Sequence, residues 1–495
     1  MQLLSVLIRA HDLVKAKLTT HPKLVSVFAI FVFGAATAQD PRLVSEEATE
    51  LTDVLQSAAE FYPSIKAAQA SIAEQESEFL AATGAFDPRV DGSASSRLGG
   101  FYNGTATNAG VYQSMPFMGA EVFADYSVSG GNFPVYEDQL VTTDTGQARV
   151  GVAFSLLRDR EIDDRRFAVK SAELNTEIAE FSLLAQRIQV LQQTYVTYAS
   201  WLISARLLEA FQELLDVALV RGDALERQAE AGDVAEILVI ENDQAILQRE
   251  GLVVEARRQV RLTAERLALF FRSDDGMPIY PLYDKSLSMP IADEDFLNQP
   301  VTLLIDEALK NRPDIAVAKS LRKQFRLEKR IAENMAKPQL DFRLYTARDF
   351  GDGSITRMGT DTIADISFSI PLETRTARGK IASADARLLG LGYDLRLIID
   401  QADRDLRLSL VNLRATSELQ SVALEELQVA QVLADAEARQ FEAGISDYFR
   451  LNVRERMLGE AQLRRWQAEL NHQIALANYY GISMSLPILL GEPER

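Results

Sequence analysis

Apolar residues recur every three or four positions over residues 161–221, the spacing of a helix that packs against other helices along its length. The series comprises Leu174, Ile178, Phe181, Ala185, Ile188, Leu191, Tyr195, Tyr198 and Leu202. We interpret the two tyrosines of this stripe as packing residues. A helix of about 60 residues is roughly 90 Å long. No globular core needs that length, so the pattern predicts an extended helical bundle.

The pattern changes over residues 89–157, where Gly, Ser, Thr, Asn and Tyr become frequent and apolar and polar residues alternate in places. Alternation of this kind predicts β-strands separated by glycine-rich turns. A second alternating segment, 338–371, predicts two strands around a turn. The sequence Met-Pro-Phe-Met-Gly at 115–119 could turn an additional hairpin, and the sequence leaves open whether residues 110–130 join the same sheet.

The same order of predicted helices and strands occurs twice along the chain. A phrase that begins at Pro63 recurs at Pro313, and a second pair of prolines follows at Pro88 and Pro338, each pair 250 residues apart. Proline fixes φ and cannot continue a helix, so we interpret all four as breaks between helix and strand. Repetition of this kind predicts two copies of one structural unit.

Each half also ends in the same way. The first long helix is followed by a turn and a return helix to about residue 271, and the second by a turn and a return helix to about residue 480. The long helix of the second half is predicted over 376–441. The predicted organisation is a signal peptide, a first repeat, a linker, a second repeat and a tail: 1–38, 39–271, 272–300, 301–481 and 482–495.

Residues 1–38 have the three parts of a secretory signal. Four basic residues precede an apolar core from Leu24 to Ala36, and Ala36-Thr37-Ala38 has the small residues of a cleavage site. The core is too short to span a bilayer comfortably, since spanning takes about 20 residues. We therefore expect secretion with cleavage, and a retained anchor is the alternative.

Composition excludes several classes of function. The formal net charge is −19, and removal of the predicted signal makes it more negative, which disfavours binding to nucleic acid. The chain has no cysteine and three histidines, two of which lie in the signal, leaving His472 alone. A disulfide, a thiolate site and a histidine-based catalytic triad are thus not indicated. We expect no enzyme activity, no cofactor and no metal site.

Several phrases, in their order and spacing, carry a resemblance to a known family. The order helix, strands, long helix, tip turn and return helix, used twice behind a signal, resembles the TolC family of outer-membrane efflux proteins. The resemblance covers residues 51–481. The phrases are Asn311–Ile315 at the start of the second repeat, Ser155–Asp159 at a strand-to-helix junction, Gln440–Ser446 at a helix tip and the weaker Arg227–Gly232 at the other tip.

The resemblance implies an α+β membrane protein that forms a homotrimer. Each chain would give four strands to one twelve-stranded β-barrel in the outer membrane, continued by a long periplasmic α-helical barrel. Two strands per repeat leave open edges that lipid does not tolerate, which agrees with closure by other chains. The implied function is the exit duct of a tripartite efflux or type I secretion system. Its implied partners are a periplasmic adaptor, an inner-membrane pump or ABC transporter, and outer-membrane lipid.

The two tip turns are the first candidate site. Gly232 and Gly444 stand where a helix reverses, and glycine tolerates the positive φ of such turns. A plain helix end explains them equally from sequence alone. The resemblance implies that the tips dock the adaptor, through Ala231, Gly232 and Asp233 in the first half and through Ala443, Gly444, Ile445 and Ser446 in the second.

A pore gate is the second candidate site. The family carries an acidic pair about two turns past the second tip glycine, but the matching positions here are Arg450 and Val453, so this chain departs from the pattern. Three copies around one axis would focus the field of any charge placed there. The gate candidates are Phe441, Glu442, Asp447 and Arg450, and a solvated helix end is the other interpretation.

Two other functions remain open from the sequence. A periplasmic helical adaptor or scaffold without a pore would explain the long hairpins but not the strand pairs inside two equivalent repeats. A carbohydrate-cleaving enzyme would need two facing carboxylates, which nothing in the sequence specifies. The cargo could be drugs, metal ions, polysaccharide-related molecules or an unfolded polypeptide.

Overall fold

The computed structural model describes residues 43–134, 137, 140–289 and 294–484. The predicted signal, 1–38, and the predicted tail from residue 485 onward lie outside the described residues. The chain separates into a unit of residues 1–43 and a unit from Val44 onward, and the large sheet and the long helices all belong to the second unit.

The described part of the first half contains two short helices, five strands and a long helical hairpin. Its elements are β1 (Leu43–Val44), α1 (Leu51–Phe61), α2 (Pro63–Thr83), β2 (Arg89–Ser96), β3 (Gly104–Ser114), β4 (Glu121–Gly131), β5 (Gly146–Ser155), α3 (Asp164–Glu230) and α4 (Glu236–Ala268). The 67 residues of α3 make it about 100 Å long. Asp163 caps its first turn by accepting a hydrogen bond from the Arg166 N–H at 2.8 Å.

The second half follows the same order with a shorter strand region. Its elements are β6 (Ile279–Tyr280), α5 (Val301–Asn311), α6 (Pro313–Met335), β7 (Gln339–Phe350), β8 (Thr360–Ser369), α7 (Arg375–Glu442) and α8 (Tyr448–Ser483). Helix α7 has 68 residues and matches α3 in length. That the halves are duplicated units stays a prediction. No helix in the described part of the chain is both long and apolar enough to cross a membrane.

The prediction for the first proline pair is wrong. Pro63 and Pro313 do not lie between helix and strand; each occupies the first turn of a helix, α2 and α6. The preceding residues, Tyr62 and Arg312, take extended backbone angles because a proline ring disfavours the helical conformation before it. Each proline therefore divides a helical segment in two, 51–83 into α1 and α2, and 301–335 into α5 and α6. Pro88 does lie between a helix and a strand, and Pro338 occupies the equivalent place before β7.

Within the described residues, six strands form one antiparallel sheet in the order β2–β3–β4–β5–β7–β8. The sheet therefore has two strands more than the four per chain that the resemblance implies for a barrel, and the strand number of the barrel itself stays a prediction. The difference lies in the first half, where the turn at 115–119 does form a hairpin, β3–β4, that lies between β2 and β5. Every neighbouring pair is antiparallel, so one continuous register crosses from β2 to β8.

The main core lies at the middle of the long helices. Trp201, Tyr195 and Tyr198 of α3 are almost fully buried there, among apolar residues of α1, α5, α7 and α8. Burial raises the pKa of both tyrosines, and each hydroxyl has a partner: Tyr195 donates to Gln473 at 2.7 Å and Tyr198 to the Thr49 carbonyl at 3.0 Å. These aromatic residues fix where the short helices pack on the long ones.

Candidate functional site

The two faces of the sheet differ in chemistry. Residues that pair across antiparallel strands lie on the same face, so the register assigns every side chain to one face or the other. Val90, for example, pairs with Val111, and Val111 in turn pairs with Ala124. The apolar face comprises mainly valine, alanine, leucine and phenylalanine, with Arg348 as its charged residue among the described strands.

Several large side chains of the apolar face are uncovered. Val90 is 77% exposed, Ile366 67% and Phe368 75%, far beyond what an isolated soluble sheet leaves in water. A sheet with one largely apolar and exposed face is suited to an apolar environment on that side.

The opposite face is polar and carries an excess of negative charge. Its carboxylates are Asp91, Glu121, Asp125, Asp341, Asp349, Asp361 and Asp365, and its guanidinium groups are Arg89, Arg149 and Arg343. Seven negative charges against three positive charges leave this face at −4 per chain. A wall of this charge raises the local concentration of cations beside it.

Contacts on the polar face join strands that are distant in sequence. Arg149 of β5 donates to Asp125 of β4 at 2.8 Å, and the Asp125 carboxylate is almost fully buried beneath it. The Arg343 guanidinium of β7 lies 5.6 Å from the centre of the Phe123 ring, within the range of a cation–π contact. Gly151 lies between Phe123 and Tyr345 on this face. Its lack of a side chain allows β5 and β7 to pair here, because a Cβ at this position would clash with the Tyr345 Cβ.

A junction ties the sheet to the helices. Asp159, after β5, has a φ of +65° and is held by Asn334 of α6, whose side chain accepts from the Asp159 N–H at 2.9 Å and donates to its carboxylate at 2.6 Å. Asn334 is buried. The sequence phrase 155–159 predicted a strand-to-helix junction here. It gave no sign of Asn334, because that residue lies 175 positions away along the chain.

The two tip turns have the same hydrogen-bond pattern. Gly232 has a φ of +80° and Gly444 of +72°. The N–H after each glycine donates back over five residues, Asp233 to the Gln228 carbonyl at 2.8 Å and Ile445 to the Gln440 carbonyl at 2.9 Å. This is the Schellman pattern, in which a left-handed residue ends a helix and satisfies its last carbonyls. Ala231 and Ala443 are the helix C-caps, and both turns are exposed.

The gate candidates lie together at the second tip. Asp447 is the N-cap of α8: its carboxylate accepts from the Arg450 N–H at 2.9 Å and lies 3.7 Å from the Arg450 Nε. Both side chains are well exposed. The Phe441 ring is half-buried against the Tyr448 ring, with centroids 6.1 Å apart, and Glu442 is exposed. The capping role accounts for Asp447 locally, and a gate role for these residues stays a prediction.

Beneath the tips lies a buried charge cluster that the sequence did not reveal. Glu455 of α8 accepts from Arg221 of α3, with one bond at 2.9 Å, and from Arg249 of α4 at 2.5 Å. Tyr448, at the start of α8, donates to the buried Asn242 of α4 at 3.1 Å. Five buried or nearly buried polar residues thus connect the first helical hairpin to the return helix of the second.

Glu455 is held in its charged form. Burial disfavours the carboxylate, but its hydrogen bonds and ion pairs with Arg221 and Arg249 outweigh burial and lower the pKa of Glu455 below its ordinary value. Two guanidinium groups against one carboxylate leave this cluster with a net positive charge.

The described residues contain no group of histidine, cysteine, aspartate or glutamate side chains arranged to hold a metal ion. His472 is buried, and its Nε2 lies 2.8 Å from the Glu294 carboxylate.

The fold defined by this sheet and these helices is that of outer-membrane channel proteins. The Campylobacter jejuni CmeC outer membrane channel aligns with a TM-score of 0.61 at 13% identity, covering 89% of each chain. The open state of the Neisseria gonorrhoeae MtrE outer membrane channel aligns with a TM-score of 0.61 at 13% identity, covering 88% of each chain. The Vibrio cholerae outer membrane protein VceC aligns with a TM-score of 0.60 at 15% identity, over 88% of this chain and 95% of that one.

The predicted TolC-like fold is thereby confirmed, with long helices and an antiparallel sheet. No protein-family model matches the sequence, and no curated protein matches it significantly. At identities of 13–15% the likeness concerns the fold.

Proposed function

We propose that this protein is the outer-membrane exit duct of an efflux or type I secretion system. The observation that carries the proposal is the sheet: one exposed apolar face and one charged face, joined directly to helices about 100 Å long. The apolar face is suited to lipid and the charged face to an aqueous lumen.

The open edges of the sheet support closure by copies of the same chain. Among the described strands, β2 pairs only with β3 and β8 only with β7, so one edge of each is open. Open edges are not stable in lipid, because their N–H and C=O groups find no partner there. The two edges run in opposite directions, so β8 of one copy can pair antiparallel with β2 of the next. Three copies, as the resemblance implies, would close a homotrimeric barrel.

The helices would then continue the duct into the periplasm. The exposed apolar residues of α3, α4, α7 and α8 are suited to burial against helices of neighbouring copies. The exposed tip turns at 231–233 and 443–446 would dock a periplasmic adaptor. An inner-membrane pump or ABC transporter would supply the energy, since the chain has no phosphate-binding loop of the GxxxxGK[ST] kind.

The test combines location, assembly and conduction. We expect the full-length protein, expressed with its leader, to fractionate with outer membranes and to have the native mass of three chains in detergent. Reconstituted in planar bilayers, it should give discrete conductance steps. A water-soluble monomer that gives no conductance steps would contradict the proposal and favour the helical scaffold instead.

Identification of the bound partners distinguishes an efflux system from a type I secretion system. Cross-linking in whole cells through the tip residues should recover an adaptor together with either a pump or an ABC transporter. Cross-links that form only through the sheet loops would remove the tips from the docking site.

A further inference from the structure

The β3–β4 hairpin is the part of this sheet that exceeds two strands per half. It is not appended to an edge. Strand β3 pairs with the whole of β2, from Arg89↔Tyr112 to Ser96↔Thr105, and β4 pairs with β5 from Glu121↔Ala153 to Ser127↔Gln147. The hairpin thus lies between β2 and β5 and pairs with both of them, so it is an integral part of the sheet.

The polar side chains of the hairpin complete the charged face. Asp125 pairs with Arg149 of β5, and Glu121 lies 3.3 Å from Arg89 of β2. The Phe123 ring lies between the Tyr112 and Tyr345 rings, with centroids 6.1 and 6.2 Å away. The hairpin therefore shares a side-chain network with the strands on both sides of it.

The other side of the hairpin continues the apolar face. The register places Val111, Val122, Ala124, Tyr126 and Val128 in line with Val150 and Val152 of β5. Val111 is 47% exposed and Val122 39% exposed, and their neighbours Val90 and Val150 are exposed too. A flap in water would not need this alternation along both of its strands.

The strands of the hairpin are also long enough to span a membrane. Strands β3 and β4 have 11 residues each, and a tilted transmembrane strand needs about 9–11. Its turn is attached at the helical end of the sheet, where the Ser155 N–H donates to the Met118 carbonyl at 3.1 Å. Gly119, with a φ of +56°, permits this approach, because a Cβ would lie 2.8 Å from the Asp159 carbonyl oxygen.

We propose that the β3–β4 hairpin contributes two membrane-spanning strands per copy, so that the closed wall has eighteen strands instead of twelve. This inference rests on the proposed function. Because the diameter of a barrel grows roughly linearly with strand number, the exit would be roughly 1.5 times as wide as that of a twelve-stranded wall. The helices below are not multiplied, so the widening concerns the exit alone and suits bulky or hydrated cargo.

Thiol labelling tests the placement of the hairpin, and the chain favours it because it has no natural cysteine. In the hairpin, Ala124→Cys stands on the apolar face and Ser127→Cys on the polar face. In β8, Ala364→Cys and Ser367→Cys offer the same residue types, faces and spacing. A membrane-impermeant maleimide should label both serine positions at least tenfold faster than both alanine positions in reconstituted vesicles.

The outcomes separate the inference from the function on which it rests. Alternation in β8 with equal labelling of Ala124→Cys and Ser127→Cys would place the hairpin in water and overturn the inference. Loss of alternation in both strands would overturn the membrane wall itself. Alternating labelling in both strands supports a wall of eighteen strands. Imaging of the trimer in lipid nanodiscs then counts the strands directly, and a count of twelve would contradict the inference without contradicting the proposed channel function.

Discussion

Glu455 lies between two arginines, and none of the three side chains is more than 12% exposed. Removing one member of such a cluster costs more than the net contribution of the pairs, because the remaining charges stay buried without compensation. The geometry therefore makes Glu455 the residue that permits Arg221 and Arg249 to be buried at all.

We predict that Glu455→Gln destabilises the protein by about 3–5 kcal/mol, since it leaves two guanidinium groups without a counter-charge. The matched control is Glu460→Gln on the same helix, whose exposed carboxylate lies 3.8 Å from Arg464 and whose loss should cost less than about 1 kcal/mol. Denaturant unfolding of the detergent-solubilised protein measures both. Equal effects would show that the cluster is not a buried charge site.

The same carboxylate makes stability depend on pH in a defined direction. The folded protein lowers the pKa of Glu455 from its ordinary value of 4.5, so its contribution is fully present above that value and is lost as pH falls through the lowered one. We expect the difference in Tm between wild type and Glu455→Gln to be constant near neutral pH and to shrink below about pH 4.5. A difference that grows on acidification would contradict this sign.

Asp447 allows its two roles to be separated. Asparagine caps a helix as well as aspartate does, so Asp447→Asn keeps the bond to the Arg450 N–H while removing the charge. If three copies surround a pore entrance, we predict a lower ratio of cation to anion permeability, and Asp447→Glu, which keeps the charge, should restore it. Reversal potentials in a salt gradient measure the ratio. An unaltered ratio in Asp447→Asn would remove this residue from the gate.

Among the elements, the tip turns depend most directly on one residue type. Alanine at a φ of +72° is strained, so Gly444→Ala should destabilise the tip by roughly 1 kcal/mol. Gly390 lies within α7, and a Cβ added there would meet no neighbouring side chain within 4 Å. Gly390→Ala should therefore be neutral or stabilising. Hydrogen exchange of the Ile445 amide reports the tip locally. Faster exchange in both variants or in neither would contradict the left-handed turn.

Local sequence signals identified the elements better than their boundaries or their number. The glycine turns were predictable because a reversal between two helices commonly uses a residue in the left-handed conformation. Gly232 and Gly444 both adopt that conformation. The role of Pro63 was not, because proline is equally compatible with ending one helix and starting the next. The phrase 115–119 indicated a hairpin, but strands pair across the sheet, and no local pattern says which neighbour β4 finds.

For the whole molecule, the order of elements predicted the channel fold, whereas the chemistry of its wall required the register. The charged face becomes visible only when Asp125 is aligned with Arg149 and Phe123 with Tyr345, and the latter pair is separated by more than 200 residues. The same holds for Glu455, whose partners come from two other helices. Period and spacing describe one segment at a time, so they cannot reveal contacts made between segments.

The two unpaired edges of the sheet have a consequence before any duct exists. If the protein is the proposed channel, a newly exported copy crosses the aqueous periplasm with the outer edges of β2 and β8 unpaired and with an exposed apolar face, conditions that promote non-native aggregation. On the proposed function, escort proteins that shield the strands in transit would therefore be as necessary to this polypeptide as its final neighbours. When such escorts are depleted, the first symptom should be misassembled precursor, ahead of any loss of transport.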